Sequence, residues 1–316
     1  MSDYIEIRPF TADFKSNWNQ FLSNSRIDSF LLNRDFMEYH SDRFEDASLL
    51  IYRKGKLDAI VPANKKDDQF FTHQGLTYGG IILSKNTAAT DVLLYFEAMN
   101  AYLKEQGITQ VIYKSIPFIY HKYFAEEDRY ALFRLGAQRI ACNLSSTIDL
   151  KRQIPFIESR KSGLRKAKAN ALTFEETTEF DSFWTVLEDN LKHTHGAKPV
   201  HTAQEMALLH SRFPKQISCF VVKNEDQILG GTVIFIMDQV VHVQYISANL
   251  EGKNLGALDL LFDYLIHEKY AHSGHLFFDF GQSTEQQGHF LNENLIFQKE
   301  GFGGRGVNYE IYQYAL

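Results

Sequence analysis

The chain repeats itself. A strand over 47–52 turns at Lys54-Gly55-Lys56 into a second strand, 57–63. Further on, 219–223 turns at Asn224-Glu225-Asp226 into 228–237, and the two hairpins lie about 170 residues apart. Each half then runs through a strand-forming stretch, an amphipathic helix, a glycine and a short apolar strand. In the first half these are 70–83, 90–105, Gly107 and 111–115; in the second they are 239–247, 256–269, Gly274 and 276–280. Gly107 and Gly274 are 167 residues apart and hold the same place in the order. A duplicated hairpin–strand–helix–strand unit restricts the chain to two like domains, and 316 residues is more than one core usually serves. The expected fold class is α/β, with mixed (α+β) sheets. The expected division is 1–150 and 151–316, the first domain being completed by the C-terminal strand near 306–316.

Within this frame one strand stands out. His275-Leu276-Phe277-Phe278-Asp279-Phe280-Gly281 is too short and too aromatic for a helix, and one acid interrupts it. Buried carboxylates are rare unless paired. A strand end, an acid and a glycine-led loop point to a site at the carboxyl edge of a sheet. Equally, Asp279 could cap the following turn through backbone amides.

Charge narrows the partners. The net charge is −6, so an anionic ligand needs a local basic patch, and general DNA binding is not expected. The most basic run is Arg160, Lys161, Arg165, Lys166 and Lys168; it suits a phosphate, a pyrophosphate or a tRNA backbone, or else a solvated helix face. A second polar segment, 192–202, carries His193, His195, Lys198 and His201 and reads as a loop. Substrate contact or proton transfer is the functional reading there. Zinc is not expected, since the run has neither a cysteine partner nor HExxH spacing. Cys142 and Cys219 fit no metal or redox spacing and read as small buried apolar residues. No apolar run approaches the roughly 18 residues of a membrane span, and acids come early, so neither a span nor a signal peptide is expected and a cytoplasmic protein follows.

Several motifs, taken in order, resemble one family. Leu164-Arg165-Lys166-Ala167-Lys168, Tyr245-Ile246-Ser247-Ala248-Asn249, the helix from Gly256, Phe278-Asp279-Phe280-Gly281-Gln282-Ser283 and Phe297-Gln298-Lys299-Glu300-Gly301-Phe302-Gly303-Gly304 resemble the second domain of the Fem-type (FemAB-like) branch of the GNAT acyltransferase superfamily. The resemblance covers most of 150–316 and reaches the first half through the duplication. It implies two tandem GNAT-like domains. It implies an N-acyltransferase that moves an acyl or aminoacyl group, from acyl-CoA or aminoacyl-tRNA, to an amine of a cell-envelope or polysaccharide precursor, with no metal. An accessory module without catalysis, binding a nucleotide-sugar or tRNA, is the alternative.

The resemblance also implies roles. Lys299 stabilises developing charge or orients the acceptor, while Asp279 and His195 are candidates for the amine's proton. Backbone N–H groups near Tyr245 and Ser247 hold the carbonyl. The run Lys253-Asn254-Leu255-Gly256-Ala257-Leu258 stands at the pyrophosphate loop, with Lys253 for the family's Gln or Arg, Gly256 in place and Leu258 for a small residue. Such a loop would cradle acyl-CoA phosphates at a helix start. Arg165, Lys166, His193, Lys198, His201 and Ser283 complete the list as substrate-binding residues.

Overall fold

The computed structural model describes residues 4–27, 29–195 and 198–316, excluding the side chains of 193–195. The chain divides into two compact units. One comprises Met1–Asn143, Thr284–Phe290 and Asn308–Leu316, the other Leu144–Ser283 and Leu291–Val307.

In the first unit, β1 (Ile5–Pro9) leads to α1 (Lys15–Asn24) and the short α2 (Arg34–Met37). Strands β2 (Glu45–Asp46), β3 (Leu49–Arg53), β4 (Lys56–Val61), β5 (Asn64–Lys66), β6 (Gln69–Phe71) and β7 (Ile82–Leu83) follow. The stretch 70–83, expected as a strand with a loop at Tyr78-Gly79-Gly80, holds two short strands, with His73 and Gly80 both at positive φ between them. Helix α3 (Ala89–Glu105) buries Val92, Tyr95, Phe96, Met99 and Leu103, an i, i+3, i+4 stripe. Gly107, at φ 77°, ends it and admits β8 (Gln110–Lys114). Helix α4 (Glu127–Arg134) and β9 (Gln138–Asp149) follow. The sheet order is β1-β3-β4-β7 in one sheet. The core gathers Ile51, Val61, Phe96, Val111 and Tyr113.

The second unit takes up the chain within β9. It contains α5 (Glu158–Ala169), β10 (Thr173–Thr177), α6 (Phe180–His195), α7 (Ala203–Arg212), β11 (Ile217–Asn224), β12 (Gln227–Ile236) and β13 (Val240–Ala248). Then come α8 (Leu250–Leu255), α9 (Ala257–Tyr264), a π-helical turn Leu265–Lys269 and β14 (Phe277–Gln282). The short β15 (Thr284–Glu285) lies in the first unit, and after β16 (Phe290–Leu291) come α10 (Glu293–Gly301) of the second unit and β17 (Arg305–Ala315). Residues 311–315 of β17 belong to the first unit and pair antiparallel with its β8. Strands β10-β11-β12-β13-β14 lie in that order, with β14 antiparallel to the later part of β9. Helix α9 packs on one sheet face with α5 against it, and α6 packs on β12 and β13. Val241, Val243, Leu261, Phe262, Phe278, Phe280 and Phe302 make the core on the α9 face. Cys219 is buried as expected; Cys142 is only half-buried.

Candidate active site

Strands β13 and β14 run parallel, and they do so briefly. Their register is Val240 with Phe277, Val241 with Phe278 and His242 with Asp279, after which they pair no further among the described residues. Both strands bulge where they part. On β13, Tyr245 faces Val233 and Val243 faces Ile234, so Gln244 is the extra residue. On β14, Asp279 faces Thr147 and Gln282 faces Ser145, so one residue of the pair Phe280 and Gly281 is extra. A bulge re-aims side chains and sharpens twist. Two bulges at one rung open a crevice at the carboxyl ends of two parallel strands, the place where open α/β sheets bind ligands.

Alternation decides what faces each side. Val241, Val243, Phe278 and Phe280 point into the core under α9. The other face carries His242, Tyr245, Ser247 and Asp279. Asp279 is fully buried. Its Oδ2 lies 2.8 Å from His242 Nδ1, and Oδ1 accepts from Ser145 Oγ and from Thr147 Oγ1 at 2.7 Å. Burial pushes its carboxyl up, but the hydrogen bond and charge of His242, with the two hydroxyls, outweigh this and hold it down at about 2. The carboxylate is therefore enclosed and engaged. It presents no exposed oxygen, which sets its burial against the expected role as a candidate for the amine's proton.

Lys299 belongs to the last turn of α10 and is 4 % exposed. Its Nζ donates to the carbonyls of Gly281 at 2.9 Å and Gln282 at 2.6 Å. These carbonyls sit at the β14 bulge, where the ladder is interrupted, so the amine supplies the donors they lack. Gly281 there has φ 73°, a conformation suited to glycine. Burial lowers the Lys299 pKa to about 8, with Asp279 opposing. The unfolded chain holds that proton up to the ordinary 10.5. Between these values the unfolded state binds more protons, so stability rises with pH from about 8 to 10.5. Lys114, also lowered to about 8 by burial, acts in the same window. The Lys299 share is the difference between wild type and Lys299→Met, and denaturant melts at pH 7.5 and 10 should show a smaller gain for the variant.

The expected pyrophosphate loop has a different form. Lys253 and Leu255 belong to α8, Gly256 takes φ 77°, and α9 begins at Ala257. A Cβ on Gly256 would overlap the carbonyl of Gly163 on α5, so this glycine serves a close helix approach. Asp259, in the first turn of α9, pairs with Arg160 at 2.9 Å, and its other oxygen lies over the Cα of Gly163. A helix start favours negative charge. Here the chain's own carboxylate takes that position, and burial lifts it to about 6 against the pull of Arg160. Lys253 reaches away to Asn190 Oδ1 at 2.6 Å.

The remaining candidates scatter. Tyr245 and His201 come together: the Tyr245 hydroxyl is 2.7 Å from His201 Nδ1 and accepts from the His201 backbone N–H, while Trp184 donates to the His201 carbonyl. The segment expected as a loop is partly helix, since α6 runs on to His195. The side chains of His193 and His195 lie outside the described residues, and Lys198 is exposed. Ser247 is buried, with Oγ 3.4 Å from the Val186 carbonyl. Ser283 is buried; its N–H donates to Leu144 and its carbonyl accepts from Asn292. Arg165 and Lys166 are exposed on α5, Arg165 pairing with Glu158. The sequence reading missed His242, Ser145 and Thr147. A signal existed for His242, the lone polar residue in Val240-Val241-His242-Val243, as Asp279 is in its own aromatic strand.

Known proteins bear on this arrangement. The acetyltransferase (GNAT) domain family model matches residues 158–288, which hold α5, the parted strands and α9. This segment is a GNAT acetyltransferase domain. No curated protein matches the chain. Among solved structures, FemX is similar over 98% of this chain and 97% of its own, with a TM-score of 0.69 and 11% identity. The C-terminal domain of a lysylphosphatidylglycerol synthetase from Agrobacterium fabrum is similar over 96% and 91%, with a TM-score of 0.62 and 11% identity. L-PGS from Bacillus licheniformis follows at 96% and 91%, with 0.59 and 12%. The fold is shared with FemX, and the GNAT match falls in the second half of the chain. No helix among the described residues is long and apolar enough to cross a membrane.

Proposed function

We propose that the second unit is an N-acyltransferase that moves an acyl or aminoacyl group onto an amine of a cell-envelope or polysaccharide precursor. The observation that carries this is the parting of β13 and β14, with a bulge on each strand, inside the GNAT domain. A planar acyl group lying between two such strands meets backbone N–H groups on the open edge of β13. Donors already in place where charge develops contribute more to rate than donors that must reorganise. In this reading Lys299 braces the β14 edge of the crevice and sets a positive charge beside it.

Of the two donor classes, aminoacyl-tRNA is the better supported. The start of α9 holds Asp259 and Arg160, leaving it poorly suited to a diphosphate. The outer face of α5 carries Lys161, Arg165, Lys166 and Lys168, all exposed, along which a polyanion can lie.

A thermal-shift titration with acetyl-CoA and with charged tRNA tests the choice. A ligand at a hundred times its Kd adds about 2.7 kcal/mol of stability. Charged tRNA is expected to raise Tm and acetyl-CoA to leave it unchanged. A CoA shift alone would reverse the donor assignment. Silence from both, with no transfer, would favour the accessory-module reading.

A further inference from the structure

The His242–Asp279 pair lies at the last shared rung of β13 and β14, with both side chains buried. Asp279 is acceptor-only and already takes Ser145 and Thr147 on one oxygen, leaving Oδ2 for His242 Nδ1. A neutral imidazole in this arrangement must carry its proton on Nδ1, and so its lone pair on Nε2. The ring carbon between the two nitrogens, Cε1, lies toward Gly281, where a Cβ would come within 3.4 Å of it. Gly281 is the residue at which β14 has already left the ladder. Four residues from three strands thus fix one tautomer and aim one ring at the point of parting. A structural tie between two strands needs no such fixing of the tautomer.

We propose that His242, oriented by Asp279, is the general base for the acceptor amine. This rests on the transferase reading above. The amine nitrogen attacks the donor carbonyl carbon, a C–N bond forms, and the C–O bond of an ester donor (C–S of a thioester) breaks with its electron pair leaving on oxygen or sulfur. The proton released by the nitrogen passes to Nε2 of His242 and then to the leaving group or to water. Asp279 is a positioning residue; Ser145 and Thr147 keep it ionised and in place.

Two measurements on the full chain test this. His242→Asn keeps a donor where Nδ1 stood, so its amide still reaches Asp279, but it removes the base. Single-turnover transfer should fall about 10²- to 10⁴-fold, with Tm and donor-induced shift near wild type. Transfer within threefold of wild type would overturn the proposal. Imidazole ¹⁵N NMR of the wild type, compared with His242→Asn for assignment, should show His242 as the Nδ1–H tautomer when neutral. An Nε2–H tautomer would overturn it without reference to activity. Failure of the transferase reading looks different: the wild type itself would transfer nothing, while the tautomer would remain measurable.

Discussion

Lys299→Met is expected to lower transfer about 10²-fold, the loss that a misplacement of about 1 Å at a reacting site can cause. The amine holds the carbonyls of Gly281 and Gln282 at the bulge of β14. Methionine fills a similar volume but donates nothing. The two carbonyls then lose their donors inside a buried site, which costs about 1–3 kcal/mol. Removing a buried cation works the other way, since desolvation lowers the Lys299 pKa to about 8. The net change in stability should therefore be small beside the change in rate. Rapid-quench transfer assays and denaturant melts on the same preparation separate the two. A variant that folds, binds donor and transfers at the wild-type rate would show that Lys299 only ties the bulge.

Gly256→Ala is expected to destabilise the second unit by about 3 kcal/mol or more. Left-handed backbone costs a non-glycine residue about 1–2 kcal/mol. Beyond that, the new Cβ overlaps the backbone carbonyl of Gly163, which cannot swing aside as a side chain can. Helix α5 must retreat, and with it the Arg160–Asp259 pair. Were Gly256 instead the floor of a phosphate cradle, the loss would fall on donor affinity, with the melt little changed. Urea melts and donor titrations of this variant read the two cases directly.

The duplication was legible in the sequence because its marks are local. Each Gly107 or Gly274 falls between an amphipathic helix and an apolar strand, and one residue's φ preference fixes that boundary. Asp279 was legible as an anomaly, a lone acid among phenylalanines. What it does was not, because its partners come from two other strands far off in the chain: His242 lies 37 positions away, Thr147 132 and Ser145 134. Only sheet order brings them together, and strand pairing at that separation leaves no periodic trace. The run 253–258 was ambiguous for a related reason. A glycine that admits a phosphate and a glycine that admits another helix look alike in sequence. The neighbour that decides between them, Gly163, is on a different element. His201 reads as a polar loop residue, yet Tyr245 and Trp184 bury it at the entrance to α7.

The parting of β13 and β14, within the segment matched by the GNAT family model, is proposed as a site of acyl transfer to an amine. The most direct measurement incubates the purified chain with aminoacyl-tRNA or acyl-CoA and a panel of amine-bearing envelope precursors, with mass spectrometry of the products. An N-acylated amine with the donor's acyl mass is expected from the wild type, reduced about 10²-fold in Lys299→Met. Product formed equally by both proteins would move the chemistry away from this crevice. No product from any donor, with ligand binding intact, would contradict catalysis and leave a binding module.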